Sequence, residues 1–112
     1  MKIDVRTVGD VKVLDCSGKI TLGEGTSSLR NSVKELVEGG SKKLLLNLAD
    51  ISYIDSSGIG ELVGSYASAA NRQSSLKLLK LTSKTHKLLA VAKLLTVFET
   101  FENEDEALAS FK

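Results

Sequence analysis

The chain has 112 residues, room for one domain of ordinary size, and its 42% hydrophobic and 26% charged content is that of a folded globular protein and not a disordered one. Fifteen basic and 14 acidic side chains are spread along it to a formal charge of +1, with 4% aromatic residues. That balance supplies neither a phosphate-binding block nor stacking platforms, which excludes nucleic acid as an expected partner. No apolar run approaches the roughly 20 residues that span a bilayer, so no membrane association is expected. Alternation follows Met1 directly, without a signal-peptide core, so the expected location is cytoplasmic.

In chain order, Ile3 and Val5, then Val11, Val13, Leu14 and Cys16, flank Gly9-Asp10 and predict a β-hairpin that closes at Ser17-Gly18. A glycine-punctuated loop follows at Thr21–Thr26. Leu29, Val33, Leu36 and Val37 recur at helical spacing before a stop at Gly39-Gly40. Lys43–Leu48 is short and apolar on both faces, the pattern of a covered central strand, and Ile51, Tyr53 and Ile54 lead from it into a turn. Ile59, Leu62, Val63, Tyr66 and Ala70 mark a second helix, and Leu76–Leu81 a further strand. Ser83 is the expected N-cap of a third helix carrying Leu88, Leu89, Ala92 and Leu95. Val97-Phe98 predicts a short edge strand. Glu102, Glu104, Asp105 and Glu106 open a last helix whose apolar side is Ala107, Leu108 and Phe111. Strands first, then helix and strand in alternation, predict one α/β domain over residues 1–112. Its expected architecture is a mixed sheet of four to five strands with about four helices.

Cys16 and His86 are each the sole member of their kind, so neither a disulfide nor a metal centre is expected, and both read as structural. The informative stretch is Asp55-Ser56-Ser57-Gly58-Ile59-Gly60, two hydroxyls and a carboxylate where a buried strand hands over to a helix. Such a corner lies on the rim where α/β sheets bind ligands and partners. Gly58, Gly60 and Gly64 each disfavour the helix by about 0.5–1 kcal/mol, and close approach of another surface would justify them. A purely structural account is also open: Ser56 as N-cap, Asp55 as a residue favoured before a helix, and the glycines packed on the chain's own sheet. Spacing alone leaves both accounts open.

Chemical alternatives fare worse. Gly58-x-Gly60-x-x-x-Gly64 is one residue off the dinucleotide fingerprint, and the next strand ends without an acidic residue for a ribose. There is no phosphate-binding G-x-x-x-x-G-K, and Ile54–Gly58 lacks the first glycine of the G-x-S-x-G elbow. No catalytic residues and no cofactor are expected.

Ile54-Asp55-Ser56-Ser57-Gly58-Ile59-Gly60, between a strand and a glycine-bearing helix, resembles the signature of bacterial anti-sigma factor antagonists. These are single STAS (sulphate transporter and anti-sigma antagonist) domains. The resemblance extends over the chain through Val13–Ile20, Leu44–Leu48 and Leu76–Leu81. It implies helices mainly on one face of the sheet. It also implies binding of the unphosphorylated chain to an anti-sigma factor serine kinase, release when the kinase uses ATP on Ser56 (Ser57 being the competitor), and reversal by a PP2C-type phosphatase. Asp55, Ser57, Gly58, Gly60, Thr21 and Glu24 are the partner-binding residues so implied. Many members carry an aspartate in the loop after the second strand, where this chain offers Thr21 and Glu24. The resemblance equally admits a docking module in a transport or sensory assembly, without phosphorylation.

Overall fold

Leu44, Leu45 and Leu46 are all completely buried, which requires cover on both faces of the strand that carries them. A computed structural model describing residues 1–112 provides it. Strands β1 (Lys2–Val8), β2 (Val11–Ile20), β3 (Lys43–Ile54), β4 (Ser75–Leu79) and β5 (Thr100–Phe101) form one sheet in that spatial order. β1 and β2 are antiparallel, and all other neighbours are parallel. Helices α1 (Glu24–Glu38), α2 (Ser56–Asn71), α3 (Ser83–Val91) and α4 (Glu104–Ala109) complete a single α/β domain.

The alternation along β3 divides the core. Leu44, Leu46 and Leu48 face Leu29 and Val33 of α1, Leu62 of α2 and Leu89 of α3. Leu45 faces the opposite side, with Val13, Leu79 and Ala107 of α4. α4 is held there by polar contacts as well. Arg6 Nε donates to Asp15 Oδ2 at 2.7 Å, Arg6 also binds the Glu104 carboxylate, and Asn47 Nδ2 donates to Asp15 Oδ1 at 2.9 Å. Lys77 Nζ donates to the Ser110 carbonyl at 3.0 Å and lies 4.6 Å from the centre of the Phe111 ring. No helix is long and apolar enough to cross a membrane.

Val8 pairs with Val11 across Gly9-Asp10, with Gly9 at φ +63°, a conformation that favours glycine. Several boundaries differ from those the sequence predicts. β2 runs on to Ile20, beyond Ser17-Gly18, through two register irregularities that keep it paired with β3. β3 likewise continues through Ile54, and β4 stops at Leu79. α3 is capped by Thr82, not Ser83: Thr82 Oγ1 accepts from the Thr85 N–H at 3.2 Å, and Ser83 is the first helical residue. The last edge strand is Thr100–Phe101 and not Val97-Phe98. Phe98 is drawn into the core, where it meets Tyr66 edge-on with centroids 5.3 Å apart.

Candidate functional site

β2 and β3 end side by side at Ile20 and Ile54, so the β2–α1 loop and the start of α2 share one corner of the rim. Asp55 joins them. Its backbone is extended, and its Oδ1 accepts from the Gly58 N–H at 2.8 Å, which makes Asp55, and not Ser56, the N-cap of α2. Its Oδ2 accepts from the Leu22 N–H at 3.2 Å, and its own N–H donates to the Ile20 carbonyl at 3.3 Å. Both carboxylate oxygens are therefore engaged by backbone donors, where solvation alone would be the simplest expectation for a residue preceding a helix.

Ser56 is consequently the first helical residue, and it is exposed. Ser57 is half-buried and turns into a groove of about 490 Å³ between α1 and α2. The three glycines do different things. A Cβ at Gly58 would lie far inside contact distance of the Ile20 carbonyl oxygen and 2.6 Å from Ile54 Cγ1. Gly58 is buried, and the approach that it permits is that of its own helix to β2. A Cβ at Gly60 would meet nothing within 4 Å, and one at Gly64 only the Glu61 carboxylate at 3.7 Å. Both are exposed on the groove, and nothing within the chain requires them to lack a side chain.

Thr21 lies in the loop opposite, and Glu24, expected in that loop, is instead the first residue of α1. The Thr21 carbonyl accepts from the Thr26 N–H at 3.1 Å, and Gly23, at φ +101°, lets the chain turn into α1. Glu24 is 84% exposed. Sequence reasoning missed three contributors. Leu22 projects from the same loop and is 78% exposed. Arg30 on α1 and Glu61 on α2 bridge the groove with Arg30 Nη2 2.7 Å from Glu61 Oε1, and Ser65 Oγ donates to Glu61 Oε2 at 3.2 Å. The Glu61 side chain is only 9% exposed. An apolar residue in a glycine-rich loop was the one available signal for Leu22; the ion pair joins positions 31 residues apart and left none. Tyr53, also exposed, carries Lys84 Nζ 4.3 Å above its ring.

Away from this corner there is little chemistry. Cys16 is buried, and its thiol is pushed up to about 12 by desolvation and then by the neighbouring Asp15 charge. His86 is exposed on α3, and no three His, Cys, Asp or Glu side chains gather as a metal site.

Residues 2–107 match the model of the STAS domain. The chain belongs to the STAS family. It is 33% identical over 88 residues to the anti-sigma-B factor antagonist of Listeria monocytogenes, covering 75% of this chain and 77% of that protein. The homologue of the same name in Listeria innocua gives the same values. Among solved structures, an anti-sigma factor antagonist candidate from Thermotoga maritima superposes with a TM-score of 0.88 at 22% identity, covering 96% of this chain and 92% of that one. The Bacillus cell fate determinant SpoIIAA in its phosphorylated form gives 0.77 at 18%, covering 99% and 100%. At those identities the structural likeness establishes the STAS fold.

Proposed function

We propose that this STAS domain is an anti-sigma factor antagonist. It binds an anti-sigma factor that is also a serine kinase, through the corner formed by the β2–α1 loop and the start of α2, and it is released when Ser56 is phosphorylated. The observation that carries the reading is the exposed Ser56 hydroxyl at the first position of α2, beside a capping carboxylate already occupied by the Gly58 and Leu22 N–H groups. The Listeria relatives support the partner class. The protein acts by binding, in the cytoplasm, and catalyses nothing itself.

A phosphoryl group on Ser56 adds about −1.5 to −2 charges and three acceptor oxygens. At a helix N-terminus that charge is favourably placed, and the side chain makes no core contact, so the fold is spared. The penalty falls on the complex, where the dianion has to be desolvated against a surface that fits a hydroxyl. A loss of about 3–4 kcal/mol weakens binding by two to three decades. Ser57, half-buried in the groove, is the less accessible hydroxyl. A PP2C-type phosphatase would restore the binding form.

The test is to incubate the protein with its purified kinase and ATP, map the modified residue by mass spectrometry, and titrate variants against the same kinase. Ser56→Ala should bind like the parent and Ser56→Asp about 100-fold or more weakly, with both folded. A folded Ser56→Asp protein with parental affinity refutes the switch and leaves a docking module that works without phosphorylation.

A further inference from the structure

We infer that Leu22 is the apolar anchor by which this corner selects its partner, and that the matching surface on the anti-sigma factor is an uncharged apolar socket. The inference rests on the docking reading above and specifies the partner's chemistry. A solitary exposed leucine ordinarily means little. Leu22 differs in how its backbone is held. Its N–H is bound by Asp55 Oδ2 at 3.2 Å, which ties it to the cap of α2. On either side, the Thr21 carbonyl accepts from Thr26 N–H at 3.1 Å and the Gly23 N–H donates to Thr26 Oγ1 at 3.3 Å, which ties the same loop to the first turn of α1. The side chain is thus presented to solvent from main chain fixed at both helices, so little ordering entropy is lost when a partner covers it.

Its surroundings define what can cover it. Leu22 stands at the groove that Ser57, Gly60 and Gly64 also line, and at Gly60 the helix backbone is bare enough for a partner to come close. Only two ionised groups line this groove, Arg30 and Glu61, and they neutralise each other at 2.7 Å. A charged segment would find no free counter-charge there and would lose its hydration without compensation. A neutral surface matches, with an apolar socket for Leu22, the one apolar side chain that lines the groove, and uncharged polar groups for the Ser57 and Ser68 hydroxyls. The same arrangement sets Ser56, three residues beyond Tyr53 and one before Ser57, at the edge of an uncharged contact. A dianion there is poorly tolerated in the complex.

Val91 provides an internal control. It is 76% exposed, much like Leu22, but it ends α3, a helix that starts at the carboxyl end of β4 and returns toward the opposite end of the sheet. The experiment is calorimetric titration of the purified anti-sigma factor kinase from the same cell with the parent and with Leu22→Ser, Leu22→Met, Val91→Ser and Ser56→Asp, at low and high salt. Leu22→Ser should bind about 10- to 100-fold more weakly at either salt concentration, the effect of withdrawing one leucine from an apolar contact. Leu22→Met and Val91→Ser should stay within about twofold of the parent, the scale of an ordinary surface substitution. The three variants other than Ser56→Asp should share one unfolding midpoint with the parent. Leu22→Ser with parental affinity, or a loss that vanishes at high salt, overturns the inference. If Ser56→Asp alone binds normally while Leu22→Ser is weakened, the phosphorylation switch falls and the anchor stands. A parent that does not bind the kinase overturns both.

Discussion

Alanine at position 58 and alanine at position 60 should move stability in opposite directions, although the two sites are only two residues apart on the same helix. At Gly58 the new methyl group would press on the Ile20 carbonyl oxygen and sit 2.6 Å from Ile54 Cγ1 and 3.0 Å from Ile20 Cγ2. The carbonyl cannot retreat freely, because it accepts the Asp55 N–H that closes the corner. Overpacking of a filled site destabilises by about 1–3 kcal/mol, and backbone involvement places this case at the upper end. Helix propensity returns about 1 kcal/mol, leaving a net loss of about 2 kcal/mol. At Gly60 nothing lies within 4 Å of the added carbon, so only the propensity gain of about 0.5–1 kcal/mol remains. For a domain of this size, about 4 °C per kcal/mol translates these into midpoints about 8 °C lower and 2–4 °C higher. Urea denaturation followed by circular dichroism reads the same quantities as shifts of the midpoint at constant slope. Gly60→Ala should at the same time dock less well, because its methyl group stands on the groove floor. Two midpoints shifted in the same direction, or a Gly58→Ala protein as stable as the parent, would refute the assignment of the two glycines.

Stability should also fall in acid. Asp15 and Glu104 are held below their ordinary values of 3.8 and 4.5, foremost by hydrogen bonds from Arg6. The folded state therefore binds fewer protons than the unfolded one. Their contribution is complete above about pH 5 and is lost as pH falls through the folded values, so Arg6→Gln should flatten the midpoint-versus-pH curve below about pH 4; an unchanged curve would show that the cluster is not the cause. Cys16, its thiol pushed up to about 12 by burial, should resist a disulfide reagent at about pH 8 in the native protein and react at once in denaturant. Fast native labelling would contradict its sealed position. Asp55→Ala should cost about 1–2 kcal/mol as a lost cap, and it should speed hydrogen exchange at both the Gly58 and Leu22 amides. Faster exchange at Gly58 alone would mean that the tether to the loop does not hold.

The elements that the sequence made legible are those governed by local periodicity. Apolar residues on both faces of Lys43–Leu48 predict a covered strand, and the structure divides them as that requires, Leu45 to one side and Leu44, Leu46 and Leu48 to the other. Ala107 and Leu108 likewise form the packed side of α4, and Phe111, just past the end of that helix, packs on the same cluster. Contacts distant in sequence were not legible. Thr82 and Ser83 are adjacent hydroxyls with nearly equal capping preference, and only the Thr85 N–H decides between them. Val97-Phe98 has strand composition, but Tyr66, more than 30 positions earlier, claims Phe98 for the core. Gly58 and Gly60 are indistinguishable as letters, and a carbonyl on another strand separates them.

The same distant contact explains why aspartate and serine have divided the work at the start of α2. A hydroxyl in the capping position could have satisfied the Gly58 N–H, but it offers one oxygen, and a second backbone donor converges there from Leu22, 33 residues before Asp55. The Asp55 carboxylate meets both, with one oxygen for each donor. With Asp55 committed to the architecture, the next residue carries no structural duty, and its chemistry can change without disturbing the cap, the loop or the core. The proposed phosphorylation switch needs such a residue, close enough to the proposed docking surface to alter it and free of any role in holding that surface together. Ser56 meets both conditions, whereas a phosphoryl group on Ser57 would have to find room in the groove itself.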